Sequence, residues 1–258
     1  MNIRYKIQRG RRIAGNILAN CFEPPVVLLT YHRIAVLAED PYQLAVTPEN
    51  FRRQLDFLRG HFQILPFDGA WDRGDGVRFV ITFDDGYADN LENALPILRE
   101  FEVPAIFFVA AGAVDAGREF PWDGGNAPQR REFRTLRLGE LQELAANPLA
   151  LIGSHTVTHP RLSELSAEKQ YEEIAGGHRR LEEQLGRKLS FFSYPFGNYQ
   201  DFNADSVRIC RELGLTRVAA NYPGQYHHVT DPLAIPRHVV RNWNLDEFRK
   251  RLFRFKNL

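Results

Sequence analysis

The 258-residue chain has little cysteine, no excess of either charge and no long apolar run. Its two cysteines, Cys21 and Cys210, lie far apart and match no metal or redox spacing, which predicts unpaired thiols in a reducing compartment. A formal net charge of +1 argues against a nucleic-acid partner, because such domains carry a strong basic excess. No stretch approaches the roughly 20 apolar residues that a membrane-spanning helix needs. These absences favour a globular protein with a neutral or amphipathic substrate.

The first 24 residues are basic and differ from the rest of the chain. The apolar run that follows the basic residues is interrupted by Gly15, Asn16 and Asn20, which is not typical of an export signal. The isoleucines of this segment fit one side of an amphipathic helix on an anionic membrane surface, and a loosely ordered arm is the alternative. We therefore predict a basic arm over 1–24, one domain over 25–258, and a cytoplasmic location, with peripheral contact at the inner face of the cell membrane as an option.

Past Pro24 and Pro25, short apolar runs alternate with segments of helical period, a pattern typical of β/α units. Little alternation within the runs indicates strands that are covered on both faces. The predicted strands are VVLLTY (26–31), FVITF (79–83), AIFFV (105–109), LALIG (149–153), FFSY (191–194) and TRVAA (216–220). The first predicted helix starts at Pro48, and the others cover 91–101, 138–146, 166–185 and 205–213.

Two aspartates, Asp84 and Asp85, directly follow the strand FVITF and precede Gly86. Ligands of parallel α/β folds bind at the carboxyl ends of the strands, so this position predicts an active-site rim. Taken alone, D-D-G is equally well interpreted as a polar turn, since Asp and Gly are common turn residues. The pair needs a partner before it indicates chemistry.

The partner is HTVTH, in which His155 and His159 follow the strand LALIG. A spacing of four brings both imidazoles to one side if the segment turns helically. Two imidazoles and one carboxylate form a three-ligand site with a position left for water, as in catalytic zinc sites. One aspartate would then bind the metal, and its neighbour would take the proton of the attacking water as a general base.

Three motifs in this order, TFDDG (82–86), HTVTH (155–159) and YPFG (194–197), resemble those of the polysaccharide deacetylases with the NodB homology domain, carbohydrate esterase family 4. The surrounding segments LLTYHRI, NALPILREFEVPAIFFV, LEEQLGR and LAIPRHVV extend the resemblance from about residue 26 to about residue 241. The resemblance implies a distorted (β/α) barrel of about seven parallel strands. It also implies metal-dependent removal of N-acetyl groups from an amino-sugar polymer or a lipid-linked glycan.

The resemblance assigns roles to residues of this chain. Asp84 matches the catalytic base, and the metal ligands are Asp85, His155 and His159. The metal implied is Zn²⁺, with Co²⁺, Ni²⁺ or Mn²⁺ as alternatives. The backbone N–H of Phe196 in YPFG matches the donor that stabilises the oxyanion.

Two departures from the family pattern leave roles open. Many members carry an arginine two positions before the proline of the third motif, where it orients the base, and this chain has Ser193 there. The Y-P-F-G form is similar to that of a branch common among exopolysaccharide-related members. The usual histidine acid near the C-terminus has no close match. In the branch whose first strand ends in Y-H, as Tyr31 and His32 do here, the N-terminal histidine resembles a relocated version of that acid. The resemblance therefore implies His32 as the acid, with His238 as the alternative.

Aromatic residues near the motifs are candidates for substrate binding, although core packing is the competing role for each of them. These aromatic candidates are Tyr87, Trp122 and Tyr194, and Pro195 of YPFG is a further candidate. Two other functions compete with carbohydrate deacetylation. One is hydrolysis of another small amide at the same metal site, and the other is a carbohydrate-binding module that has lost catalysis. The sequence does not predict the oligomeric state.

Overall fold

A computed structural model describes residues 23–72, 74–114, 120 and 133–255. The strands in this part of the chain are β1 Val26–Tyr31, β2 Arg33–Ile34, β3 Ala45–Val46, β4 Gln63–Ile64, β5 Arg78–Phe83, β6 Ala105–Val109, β7 Ala150–Ser154, β8 Phe191–Ser193, β9 Arg217–Ala219 and β10 His238–Val239. Seven of them follow one another across a curled parallel sheet in the order β10–β1–β5–β6–β7–β8–β9, and β4 pairs with the beginning of β5. β2 and β3 pair separately.

Helices connect the strands, as the alternating apolar pattern predicts. They are α1 Pro48–His61, α2 Leu95–Glu100, α3 Leu138–Ala146, α4 Ala167–Leu185, α5 Ala204–Glu212 and α6 Leu245–Phe255. A π-helical segment, Asn90–Ala94, precedes α2, and a 3₁₀ turn, Leu162–Glu164, precedes α4. Among the described residues, no helix combines the length and the apolar character that crossing a membrane requires.

The local sequence explains where the helices begin and end. Thr47 caps α1 by accepting a hydrogen bond from the Asn50 N–H, and Pro48 occupies the first helical position, where its missing N–H costs nothing. Gly186 ends α4 in the left-handed conformation, which glycine adopts without a Cβ penalty. The predicted elements therefore agree with the structure, apart from one or two residues at their ends.

The side chains of β1 and β5 alternate between two apolar clusters. Val27 and Leu29 pack in the larger cluster with the helices, whereas Val26, Leu28 and Val80 pack on the other face of the sheet. Along β5 this period of two places Thr82 and then Asp84 on the same face as Val80. The inner face is thus apolar at the amino end and polar at the carboxyl end.

The segment leading into β10 links the two ends of the sheet. Ile235 lies in a parallel bridge with Ala219 of β9, and three residues later β10 begins to pair with β1. This closing segment brings residues 235–239 across the top of the sheet. The arrangement is a distorted (β/α) barrel, which confirms the predicted fold class.

Candidate active site

The predicted site residues converge on one cavity at the carboxyl ends of the strands. The cavity encloses about 600 Å³. Its lining consists of His32, Tyr42, Leu44, Asp84, Asp85, His155, His159, Arg161, Phe196, Asn198, Gln200, Asn221, Val239 and Arg241. Residues from six strand ends meet here because all of these strands run in the same direction.

The D-D-G turn directs its two carboxylates differently. The Asp84 N–H still donates to the Tyr31 carbonyl, at 3.0 Å, so Asp84 continues the pleat of β5. Asp85 and Gly86 then adopt positive φ angles of 76° and 82°. A Cβ at Gly86 would lie 2.9 Å from a methyl carbon of Val109, so glycine is required both for the turn and for this approach.

The HTVTH segment is not helical, and the expectation that a helical turn brings its histidines together is wrong. Thr156 and His159 instead adopt positive φ angles of 65° and 60°, which fold the segment into a tight loop. The His159 N–H donates to the Thr156 hydroxyl at 3.0 Å, and Glu173 of α4 accepts from the Val157 and Thr158 N–H groups. Hydrogen bonds to a helix side chain thus hold the loop that carries both imidazoles.

Asp85, His155 and His159 nevertheless form the compact group that their residue types predict. The Asp85 Oδ1 atom lies 3.5 Å from His155 Nε2 and 3.3 Å from His159 Nε2. All three side chains are buried, and their potential ligand atoms lie within 4.8 Å of one another. Burial raises the pKa of Asp85, but its interactions with the two histidines outweigh this effect, and the pKa lies well below the usual range.

The donor set fits a divalent metal ion. The Nδ1–H of His155 donates to the Ser193 carbonyl at 2.7 Å, which fixes the tautomer and turns the Nε2 lone pair toward Asp85. A carboxylate and two neutral imidazoles leave one negative charge uncompensated among buried groups, and a bound cation removes this cost. Asp85, His155 and His159 are therefore the residues that could hold the metal.

Asp84 lies beside this group but has a different partner. The Arg237 guanidinium makes two hydrogen bonds to its carboxylate, from Nη1 to Oδ1 at 2.7 Å and from Nη2 to Oδ2 at 2.6 Å. Burial raises the pKa of Asp84, but the charge of Arg237 outweighs this effect and holds the pKa below its usual value. Asp84 is thus an ionised carboxylate that faces the cavity.

His32 also lines the cavity, and residues that follow D-D-G hold it there. The Asn90 amide donates to the His32 carbonyl at 2.9 Å, and Asp89 accepts from both the Ile34 N–H and the Arg33 guanidinium, each at 2.9 Å. Burial lowers the pKa of His32, while the nearby carboxylates Asp85 and Asp84 act to raise it. The loop after β1 is therefore fixed against the loop after β5.

His238 lies on the other side of β10. Its ring stacks on Phe255 of α6 with centroids 4.0 Å apart, and the next residue, Val239, is the one that lines the cavity. Because successive side chains of a strand point to opposite faces, His238 cannot share the cavity with Val239. Of the two candidate acids, the structure brings only His32 to the aspartates.

The third motif, YPFG, forms a turn at the cavity wall. Phe196 and Gly197 adopt positive φ angles of 58° and 68°, and a Cβ at Gly197 would lie 2.7 Å from the Asn221 nitrogen. The Phe196 ring packs edge-on against His159 with centroids 4.8 Å apart, and the Arg161 guanidinium lies 4.1 Å above the same ring. The motif thus places Phe196 between His159 and Arg161 at the cavity wall.

The predicted substrate contacts of Tyr87, Tyr194 and Pro195 are not supported by their positions. Tyr194 is fully buried, donates to the Leu233 carbonyl at 2.9 Å and stacks on Phe202. Tyr87 is also fully buried, beneath the Arg33 guanidinium. Neither tyrosine lines the cavity, nor does the buried Pro195. Packing, the competing role of aromatic residues, is therefore the one observed, and Trp122 lies outside the described residues.

Sequence reasoning missed several residues that build the site. Asp89 and Asn90 anchor His32, Arg237 holds Asp84, and Arg161 and Arg241 form the cavity rim. Asp89 and Asn90 could have been suspected from the sequence, because they lie only three and four positions after Gly86 of the D-D-G motif. Arg237 lies 153 positions from Asp84, and no spacing rule connects residues at such a distance.

Comparison with known proteins identifies the class. Residues 73–218, more than half of the chain, match the family model described as polysaccharide deacetylase. The chain belongs to the polysaccharide deacetylase family, which confirms the predicted family. This membership supports the predicted enzyme class, a carbohydrate N-deacetylase.

Individual relatives agree with this assignment. The chain is 24% identical over 204 residues to YxkH of Bacillus subtilis (strain 168), whose name assigns it to the polysaccharide deacetylases. The match covers 76% of this chain and 64% of YxkH, so the chain spans less than two thirds of that relative.

Solved structures share the fold over most of the chain. IcaB from Ammonifex degensii is 25% identical with a TM-score of 0.67, and the match covers 92% of this chain and 98% of IcaB. The deacetylase PplD of Streptococcus pyogenes is 22% identical with a TM-score of 0.70, and the match covers 89% of this chain and 98% of PplD.

Proposed function

We propose that the protein is a metal-dependent hydrolase that removes N-acetyl groups from an amino-sugar polymer or a lipid-linked glycan. One observation carries the proposal. The compact group of Asp85, His155 and His159 lies beside a second carboxylate, Asp84, which a separate cation keeps ionised. Hydrolysis of an amide needs an electrophilic centre and a base within reach of the same water, and this cavity offers residues for both.

Asp85, His155 and His159 would hold the metal, through one carboxylate oxygen and the two imidazole Nε2 atoms. A divalent ion bound there would polarise the acetamide carbonyl and make water more acidic. Zn²⁺ suits a donor set of two nitrogens and one oxygen, and Co²⁺, Ni²⁺ and Mn²⁺ are alternatives for the same ligands.

Asp84 would serve as the general base. Arg237 occupies one lone pair on each carboxylate oxygen and keeps the group ionised, and the remaining lone pairs can accept a proton. Its place at the end of β5 keeps the carboxylate on the inner face of the barrel. A water that attacks the acetyl carbon would transfer its proton to Asp84.

Phe196 and His32 would complete the reaction. The backbone N–H of Phe196 would donate to the oxyanion of the tetrahedral intermediate, as the resemblance of YPFG to the family motif implies. His32 would give a proton to the amine nitrogen as the C–N bond breaks, since an unprotonated amine is a poor leaving group. His32 is favoured over His238 because only His32 lines the cavity.

The residues at the cavity rim favour the proposal of a carbohydrate substrate. Polar groups of Asn198, Gln200 and Asn221 share the rim with Tyr42 and Arg241. Sugars bind through hydroxyl hydrogen bonds and through apolar ring faces, and this mixture offers both. The cytoplasmic location and peripheral membrane contact predicted from the sequence remain predictions.

The test is release of acetate from N-acetylated chitooligosaccharides by the metal-free protein and after addition of Zn²⁺. We expect acetate release only with metal. Metal binding without turnover on any N-acetylated sugar would instead support a carbohydrate-binding role. Hydrolysis of small cyclic amides in preference to sugars would overturn the substrate class but leave the metal site in place.

A further inference from the structure

The guanidinium of Arg237 uses every donor it has. Nε donates to the Ala220 carbonyl at 2.8 Å, Nη1 donates to the Thr82 hydroxyl at 3.0 Å, and Nη2 donates to the Ser193 hydroxyl at 2.7 Å. The two remaining N–H groups are those that bind Asp84. An arginine has five N–H donors, and here all five have partners. The orientation of this group is therefore fixed by three different strands and their loops.

Both members of the ion pair are buried. The side chain of Arg237 is 0% exposed and that of Asp84 is 4% exposed. A bidentate arginine fixes the plane of a carboxylate as well as its charge, because two parallel hydrogen bonds form at once. Asp84 can therefore neither rotate about its side chain nor move toward Asp85 without breaking one of these bonds.

Arg237 reaches Asp84 because of where the barrel closes. It lies in the segment between Ile235, which pairs with β9, and His238, which pairs with β1. Ser193, at the end of β8, fills the remaining side of the guanidinium with a small hydroxyl, and its Oγ lies 3.5 Å from Asp84. A large or cationic side chain at position 193 would compete with Arg237 for this space.

From this geometry we infer that Arg237 is the positioning residue of Asp84 and that Ser193 and Arg237 form one functional unit. The inference rests on the proposed role of Asp84 as the base. Ser193 also accepts the hydrogen bond from the His155 Nδ1 through its carbonyl, so the same residue contacts both halves of the site. The arginine that the sequence lacks at position 193 is thereby replaced from a different part of the barrel.

The first experiment compares Arg237→Lys with Arg78→Lys. Arg78 is a matched control, because it is a buried arginine at the opposite end of β5 that donates to the Trp71 and Pro24 carbonyls. For Arg237→Lys we expect kcat to fall about 10–100-fold, the range for groups that orient an active-site residue, with KM unchanged. Zinc affinity, measured by competition with a chromophoric chelator, should stay at the wild-type value.

Arg78→Lys should lower the melting temperature without a change in kcat. A wild-type kcat in folded Arg237→Lys would overturn the inference. An equal loss of zinc affinity and kcat would also overturn it, since the arginine would then support the fold of the whole site. If the wild-type protein released no acetate, or if Asp84→Asn remained active, the proposed function would fail instead, and this inference with it.

The second experiment exchanges the two positions, and it carries the test if Arg237→Lys does not fold. We expect the double variant Ser193→Arg with Arg237→Ser to recover part of the kcat that Arg237→Ser loses. The single variant Ser193→Arg should lower kcat, because two guanidinium groups compete for one carboxylate. If the double variant were no more active than Arg237→Ser, the inference that Ser193 and Arg237 form one functional unit would be wrong.

Discussion

Two adjacent buried aspartates at the end of β5 have opposite electrostatic surroundings. Asp84 is neutralised within the protein by Arg237, whereas Asp85 faces two imidazoles and has no ion-paired lysine or arginine among the described residues. A guanidinium compensates the negative charge of a buried carboxylate. Neutral imidazoles do not, so a carboxylate beside them is stabilised by a further cation. The difference gives a physical reason why neighbouring residues of the same type would take the separate proposed roles of base and metal ligand.

Backbone geometry produces this division. Asp84 keeps the extended conformation of β5 and points to the inner face, where Arg237 lies. Asp85 takes a positive φ of 76°, and its side chain turns toward the HTVTH loop. A separation of one residue is therefore enough to place the proposed base and the proposed metal ligand in different surroundings, provided that Gly86 allows the turn to continue.

The largest effect on activity should come from a change in the group of Asp85, His155 and His159. His159→Ala should abolish stoichiometric zinc binding and reduce acetate release by roughly three orders of magnitude or more, because a Lewis acid contributes several kcal/mol to the transition state and about 1.4 kcal/mol is tenfold. Equilibrium dialysis with Zn²⁺ and an acetate assay measure both. The control is His227→Ala, since His227 is buried beside the amino end of β1. Full zinc binding by His159→Ala would contradict the ligand assignment.

Replacing Asp84 should reduce catalysis without reducing zinc binding. Asp84→Asn should retain zinc and lose about 10²–10⁴-fold in kcat, the contribution typical of a general base. Asp85→Asn is the matched comparison, because the same chemical change one residue later should weaken zinc binding as well. The same two assays apply. If both variants lost zinc equally, the two aspartates would not have separate roles.

The third prediction concerns the proton that the leaving group needs. His32→Gln should lose about 10²-fold or more in N-deacetylation, the lower end of acid–base contributions, yet keep much of its activity toward an aryl acetate. A phenolate leaves without a proton, whereas an amine does not. His238→Gln, the control, should keep both activities. Equal losses on the amide and the ester by His32→Gln would contradict its role as the acid.

The smallest effect lies outside the site, at His178 of α4. Its Nδ1 lies 3.0 Å from the Ser154 hydroxyl, and burial lowers the pKa of the imidazole. The folded state therefore binds fewer protons than the unfolded state. The contribution of His178 to stability is full above the unfolded pKa of about 6.5 and is lost as the pH falls toward the folded value.

Urea unfolding at pH 7.5 and pH 5 measures this effect. The wild-type protein should lose more stability between the two pH values than His178→Gln does, by up to about 1.4 kcal/mol for each unit of pKa shift. Zinc binding should be unchanged in the variant, which keeps this prediction separate from those on the aspartates. An identical pH dependence in the two proteins would show that His178 is not the titrating group.

The residues proposed as metal ligands could be predicted from the sequence, whereas the surroundings of the proposed base could be predicted only in part. Asp85, His155 and His159 follow strand ends in short motifs, and strand ends of parallel sheets meet. The motifs did not predict the conformation of HTVTH, because a spacing of four fits a helical turn and a left-handed loop equally well. Tyr87 and Tyr194 were misassigned because a rim position in sequence does not exclude burial of the side chain.

The sequence alone was sufficient to predict the alternation of strands and helices, the family and the candidate metal-binding residues, since these depend on local pattern and short motifs. The folded structure was needed to show what neutralises Asp84, which histidine shares the cavity, and which aromatic residues are core. Those outcomes depend on contacts between distant segments, above all on the closing segment that brings Arg237 to Asp84 across 153 positions. Hydrogen bonds between residues so far apart in sequence depend on how the barrel closes, and no local sequence pattern predicts them.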